Sequence, residues 1–355
     1  MRQPIRFSIR LVAVLAAGLV AGTVAPAAAQ DISARNLDIE VGGRLQAQIV
    51  HSSVGGPAAQ GILRRARITL DATLNEWIDG RLQLDQGGEL KDAYARISFN
   101  PSFQLSVGKF KRAFDPFELD SSADIVLERD GRIPGLSTCA GVGSICSWSR
   151  MSEALGYSDR DVGVRVGGAL GDQWTYQATI TNGTGVDSDT NDAKTVAGRL
   201  TVDVVDDVTL GGNLSIRDYT PFPGAEMEFA NAWGVDLEIG DFETPGFHVQ
   251  TGFMGGDNWE LDFGGDVPTF VSAQGILSWY RPVEDAGPVV GVEPLARISW
   301  TDPDTDSPDD AGVLITPGLW AHFGDRNKIG ATVDVYSQDP IDTEFSLKVF
   351  THLYF

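Results

Sequence analysis

The sequence predicts an all-β fold, a transmembrane antiparallel β-barrel of about sixteen strands, and three observations predict it. The last thirteen residues alternate strictly: Phe345, Leu347, Val349, Leu353 and Phe355 share one face, while Glu344, Ser346, Lys348, His352 and Tyr354 share the other. A tilted strand of that length crosses a bilayer, and a terminal phenylalanine such as Phe355 is the ending expected of a strand handed to the barrel assembly machinery. The second observation is an export leader followed by no stretch approaching eighteen consecutive apolar residues, so the chain leaves the cytoplasm without a membrane-spanning helix. The third is that connections alternate between short and long along the whole chain.

In chain order, residues 1–29 read as a signal peptide: Arg2, Arg6 and Arg10, an apolar run over 11–24, then Ala27-Ala28-Ala29. Residues 30–355 are then the barrel. Residues 36–50 alternate, with Leu37, Ile39, Val41, Leu45 and Ile49 opposite Asp38, Glu40, Arg44, Gln46 and Gln48. A second strand has Ile62, Ala66, Ile68 and Leu70 facing lipid, and 194–204 and 208–217 repeat the pattern. Segments 228–239, 247–254 and 289–301 alternate weakly because glycine, proline or short apolar faces interrupt them.

Short turns fall near 75–77, 100–102, 171–173, 206–207, 240–246, 282–288 and 324–327. Longer polar segments separate them at 51–60, 111–157, 184–193, 219–227, 255–266, 302–310 and 337–342, with only the bend at Gly87-Gly88 brief. Short periplasmic turns and long outer loops place both termini in the periplasm. Trp77, Trp174, Trp279 and Tyr354 near one end, with Trp233, Trp300 and Tyr219 near the other, are expected to form interfacial belts. A soluble sandwich also alternates, but it has no reason to keep this loop rhythm and has edge strands to protect.

Composition narrows the function classes. The chain is 42% hydrophobic with 41 glycines, and 27 basic against 49 acidic residues give a net charge of −22. Loss of the three leader arginines makes the exported chain more acidic still, which argues against nucleic acid as a partner. The only cysteines, Cys139 and Cys146, are expected to close a small loop disulfide in an oxidising envelope, the alternative being two free thiols. Acidic residues 302–310 read as a solvated loop, with divalent-cation bridging to lipopolysaccharide in the outer-membrane lipid as the alternative.

Alternation also assigns a lumen. It points Arg44, Arg65, Arg67, Arg81, Arg96, Arg165, Arg199, Arg217, Arg297 and Lys348 inward. The same parity points inward Asp38, Glu40, Asp71, Asp85, Asp92, Asp203, Asp236, Glu238, Asp334 and Glu344, so the arginines either form an anion path or pair with acids and brace the wall. Segment 111–157 is too long for a simple connection and is the candidate constriction. Lys109, Lys111, Arg112, Asp115, Glu118 and Arg129 are its charged candidates. Parity carries Lys109 and Lys111 onto the lipid face of Leu105 and Val107, so the strand is expected to break near Gly108, or the lysines to snorkel.

Three stretches carry a family resemblance. Arg64-Arg65-Ala66-Arg67-Ile68-Thr69-Leu70, Leu90-Lys91-Asp92-Ala93-Tyr94, and Leu105-Ser106-Val107-Gly108-Lys109-Phe110-Lys111 with Phe114-Asp115-Pro116-Phe117-Glu118-Leu119 resemble the phosphate-selective porin O/P family. The resemblance implies a homotrimeric sixteen-stranded outer-membrane porin of a Gram-negative envelope, its third loop folded into the pore. It also implies ion transport, with arginines lining an anion path and lysines near the constriction holding inorganic phosphate or another small anion. At Arg112-Ala113 the sequence departs from the acidic residue and proline that members commonly carry.

The sequence offers no cofactor or metal motif and no nucleophile elbow, and its four histidines, His51, His248, His322 and His352, stand far apart. The expectation is therefore a passive channel rather than an enzyme. A general-diffusion porin is the nearest alternative, and a plugged structural or adhesive barrel belongs to a different class.

Overall fold

A computed structural model describes residues 37–53, 59–121, 127, 147–185, 189, 191–222, 224–242, 244–262, 264–324, 326–338 and 341–355. Residues 1–29, expected to be a signal peptide, and Arg129, Cys139 and Cys146, with the expected disulfide, lie outside the described residues. Sixteen strands follow one another: β1 (Asp38–Ser52), β2 (Gln60–Asn75), β3 (Ile78–Leu84), β4 (Leu90–Asn100), β5 (Phe103–Lys111), β6 (Arg160–Leu170), β7 (Trp174–Thr181) and β8 (Thr195–Val205). The second half comprises β9 (Val208–Tyr219), β10 (Glu228–Ile239), β11 (Gly246–Asp257), β12 (Thr269–Pro282), β13 (Gly291–Asp302), β14 (Gly312–His322), β15 (Lys328–Gln338) and β16 (Ile341–Tyr354). Each pairs antiparallel with its neighbours in sequence, and β1 pairs with β16 from Arg44 opposite Tyr354 to Ser52 opposite Ser346, closing the barrel. Closure leaves no unpaired edge, which a spanning sheet requires because hydrocarbon offers no hydrogen-bond partner.

The alternation that predicts the strands is the one that sorts their faces. On β16, Phe345, Leu347, Val349 and Leu353 are exposed, whereas Glu344, Ser346, Lys348, Phe350 and His352 are buried. The backbone of Phe355 exchanges two hydrogen bonds with Gly43 (3.1 and 2.7 Å), and its ring lies where any Cβ at position 43 would sit. The connection before β16 is shorter than the sequence indicates, since β15 and β16 run on as a hairpin separated only by residues 339–340.

Two aromatic expectations need correction. Trp77, Trp174, Trp279 and Trp233 are outward and exposed, and Trp279 stacks on Phe247 (5.4 Å). Tyr219, however, is buried and donates to Asp262, while the Tyr354 hydroxyl accepts from Gln46 inside the barrel. Both have a hydrogen-bonding partner in the interior, so neither needs an interface.

Strand β5 does not break at Gly108. Its pairing with β4 and β6 continues in register to Lys109 and Lys111. Instead Gly108 adopts φ +134°, and a Cβ there would overlap the Ala93 carbonyl oxygen, so only glycine fits. Parity runs on past it, with Val107 outward and Ser106 and Phe110 buried, and only Lys111, the last residue of β5, departs from it, donating to the carbonyl of Leu119 (3.2 Å) and to that of Asp120 and lining the interior cavity. Lys111 is therefore inside rather than anchored in lipid.

Candidate functional site

The inner wall divides into two regions. Along β9–β16 the inward side chains are almost all buried, and the described ends of segment 111–157 lie against them. Two short helices, α1 (Pro116–Leu119) and α2 (Trp148–Ala154), contribute Phe117, Trp148 and Met151 to one apolar cluster with Phe114, Leu155 and Tyr157. That cluster takes in Ala230, Ala232, Met254, Phe270, Ile276 and Leu295 from the wall. Phe117 meets Trp148 edge-on at 5.4 Å, the Trp148 amide donates to the Ser299 hydroxyl (3.0 Å), and Gln250 donates to the Asp120 carboxylate (2.7 Å).

Arg112 and Asp115 serve this packing and do not face an open passage. Arg112 donates to the carbonyls of Gly156 (2.9 Å) and Ser158 (2.6 Å), and pairs with Asp161 at 2.7 Å with both side chains buried. It thereby ties the two ends of the long segment together. Asp115 caps α1 through the amides of Phe117 and Glu118 and accepts from the Ser152 hydroxyl. Burial pushes its carboxyl up to about 7, and neighbouring Glu118, itself buried, adds to that. Arg217 is also committed here, donating to the Leu155 carbonyl (2.6 Å) with its guanidinium over the Trp259 ring (4.3 Å).

Polar networks complete the packed side. Asp334 takes Arg297 (3.4 Å), Thr316 (2.6 Å) and Lys348, which is the bracing role foreseen as the alternative for inward arginines. Three of the four histidines are not scattered. His248, His322 and His352 stand near the short-turn ends of β11, β14 and β16, because strand register gathers what sequence separates. Glu293 joins two of them, accepting from Ser278 (2.7 Å) and lying 2.9 Å from His322, with His248 3.3 Å from the Ser278 hydroxyl. The group resembles a nucleophile with a base, but Ser278 gives its proton to Glu293, and every member is under 4% exposed.

Along β1–β8 the inner wall leaves open space. A cavity of about 310 Å³ is lined by Arg44, Arg81, Lys111, Arg160, Arg165 and Arg199, with Asp92 as its one carboxylate. Asp92 is held by Arg160 through two hydrogen bonds (2.8 and 3.3 Å). Arg81 pairs with Asp71 (2.6 Å) and Arg199 with Asp236 (2.6 Å), while Arg96, in the adjoining space, pairs with Asp79 (3.0 Å). Arg44 and Arg165 have no carboxylate partner among the described residues. Arg44 reaches Gln83 (3.5 Å), and Arg165 reaches Ser106 (3.4 Å) between the rings of Tyr94 (5.1 Å) and Phe110 (4.8 Å). Cations without an acid beside them keep their field for a mobile anion.

The remaining candidates sit behind that surface. Arg67 is buried against Asp85 (2.6 Å), and Arg65 donates to Gln46 (2.8 Å). Burial opposes charge on Asp85, but the Arg67 guanidinium and the amides of Gln86 and Ala66 hold its carboxyl below the usual range. Lys109 is half-buried, and Glu118 is buried in α1. Sequence reasoning missed Arg160 and the tyrosines Tyr94 and Tyr176, which line the cavity. The alternation of Asp92 and Tyr94 was the available sign for Tyr94, whereas Arg160 stands at the first position of its strand, where parity has nothing to count from.

A model of the family described as phosphate-selective porin O and P matches residues 28–226. That span takes in β1–β9, the open side among them, and the whole of the long segment. No curated protein sequence matches the chain. Among solved structures it is similar to an anion-selective porin from Comamonas acidovorans (TM-score 0.63, 10% identity, covering 90% of this chain and 100% of that one). It is also similar to the trimer form of OmpT, an outer membrane protein of Vibrio cholerae (TM-score 0.61, 11% identity, 90% and 99%). The outer membrane channel DcaP of Acinetobacter baumannii gives a TM-score of 0.59 at 10% identity, covering 90% and 99%. At these identities the likeness is one of fold.

Proposed function

The chain belongs to the phosphate-selective porin O and P family and is an outer-membrane channel for small solutes, and on that premise we propose that it passes small anions, phosphate among them, down their gradient. In this reading residues 1–29 are its signal peptide, segment 111–157 narrows the passage, three copies assemble, and no cofactor or turnover takes part.

The observation that carries the selectivity is the lining of the open cavity: six cationic side chains, one carboxylate, and two arginines, Arg44 and Arg165, with no carboxylate partner among the described residues. Anions concentrated by such a surface pass more readily than cations. The test is reversal potential in a potassium chloride gradient across a bilayer holding the purified channel. Replacing Arg44 and Arg165 together by alanine is expected to move that potential toward the cation side; an unchanged value removes both from the filter.

A general-diffusion pore is the second reading, favoured by the pairing of Arg81, Arg96, Arg160 and Arg199 with carboxylates. Phosphate that fails to block chloride current at millimolar concentration supports it. A plugged barrel would conduct almost nothing.

A further inference from the structure

The anion reading leaves open which anions, and the space beside the cationic cavity bears on that. A second cavity, about 460 Å³, adjoins the first and shares Tyr94, Arg165, Thr175, Tyr176 and Gln177 with it. Its character differs. Beyond the shared residues it adds Gln104, Ser106, the backbone of Gly167 and Gly168, and Arg96, whose charge is already met by Asp79. The amides of Gln104 and Gln177 have no hydrogen-bond partner among the described residues, and Gln177 is exposed to the lumen. One compartment thus offers unneutralised cations, and the next offers neutral donors and acceptors beside tyrosine rings.

An inorganic phosphate ion fills only the first compartment. Spaces of about 300–1,000 Å³ are of the size that accepts a small organic molecule. An apolar anion would leave the two amides facing it unpaired, which costs more than the hydrogen bonds would contribute. A solute with a phosphate at one end and hydroxyls along the other satisfies both.

We propose, resting on the anion reading above, that the preferred solute is a phosphate monoester of a hydroxylated carbon skeleton, its phosphate beside Arg44, Lys111 and Arg165 and its hydroxyls against Gln104 and Gln177. The juxtaposition of a cationic and an amide-lined cavity through Arg165 carries the assignment.

The experiment uses the full channel in a planar bilayer, with glucose 6-phosphate, inorganic phosphate and glucose each titrated against chloride current. Glucose 6-phosphate is expected to block at roughly tenfold lower concentration than inorganic phosphate, the margin of one or two net hydrogen bonds. Glucose is expected not to block. Replacing Gln104, which lines only the second space, by alanine should bring the ester toward the level of inorganic phosphate, whose own block and the open-channel conductance stay as in the parent, which also shows the variant is folded. Equal block by the two phosphates in the parent channel overturns the inference and leaves the anion reading standing. Block by glucose equal to that by its phosphate overturns it in favour of a sugar pore. No block by any of the three, with a reversal potential of zero, overturns the inference together with the anion reading.

Discussion

The inner faces of β9–β16 and of β1–β8 are made by the same alternation of side chains, yet one is filled and the other is open. On the filled side, charges are spent inside the wall: Asp334 holds Arg297 and Lys348, and Glu293 holds His322 and Ser278. On the open side, arginine–carboxylate pairs line a space, and the cations between them face it. A lumenal charge therefore has a different value according to the side on which it sits. Buried pairs are costly to break, because the survivor is left charged and unsolvated. Exposed pairs are nearly neutral to stability and matter through the field they leave in the passage.

The strongest way to break the contrast is to loosen the long segment that packs inside the barrel. Replacing Arg112 by alanine leaves Asp161, with a wholly buried side chain, without its guanidinium, and the carbonyls of Gly156 and Ser158 without a donor. A loss of about 3–5 kcal/mol is expected, read as a lower thermal midpoint in detergent. Trp148→Ala comes next. It removes the largest side chain joining α2 to Phe117, at about 3 kcal/mol or more. If the filled side is what limits the passage, both variants raise single-channel conductance; an unaltered conductance in a folded Trp148 variant would separate packing from passage.

Much of this was legible in the sequence, and the exceptions follow the same division. Strands β1, β8, β9 and β16 read clearly because one face meets lipid and the other meets polar neighbours. Strand β10 reads poorly because its inner face carries Ala230 and Ala232, which pack against the long segment's apolar side chains, so both faces are apolar or small. The orientation of Lys111 was hidden because it is the last residue of β5, and the carbonyls of Leu119 and Asp120 in the following segment take its ammonium inside, a contact that parity does not register. The histidine group was hidden because His248 meets Ser278, and Gly291 meets His322, only through strand register. Which cations would be neutralised was likewise beyond the sequence: Asp85 answers Arg67, Asp92 answers Arg160, and no carboxylate among the described residues answers Arg165.

A smaller effect sharpens the contrast through pH. Asp115 is buried and its carboxyl is raised to about 7 from an ordinary value of 3.8. A carboxyl raised in the folded state favours folding while protonated, so its contribution is full below about pH 4 and is lost as pH rises through 7. The cap of α1 is therefore expected to hold more firmly at pH 5 than at pH 8. Hydrogen exchange at the amides of Phe117 and Glu118, corrected for intrinsic rate, should show less protection at the higher pH. Asp115→Asn keeps an accepting oxygen without the charge, and should remove the difference. Equal protection at both pH values in the parent would mean that the carboxylate is stabilised in its charged form after all.

The smallest expected effect lies on the open side, at Arg96 and Asp79, 3.0 Å apart and both partly exposed. Removing either costs about 1 kcal/mol or less in stability, so thermal unfolding should barely register it. Selectivity should register it, and with opposite signs. Arg96→Ala leaves a carboxylate facing the passage and should move the reversal potential toward cations, whereas Asp79→Ala frees a guanidinium and should move it toward anions. The double variant restores neutrality at that point, so its reversal potential should return to that of the parent channel. If both single variants shift selectivity in the same direction, the pair acts through the shape of the passage, and charge bookkeeping along this wall does not describe what the channel selects.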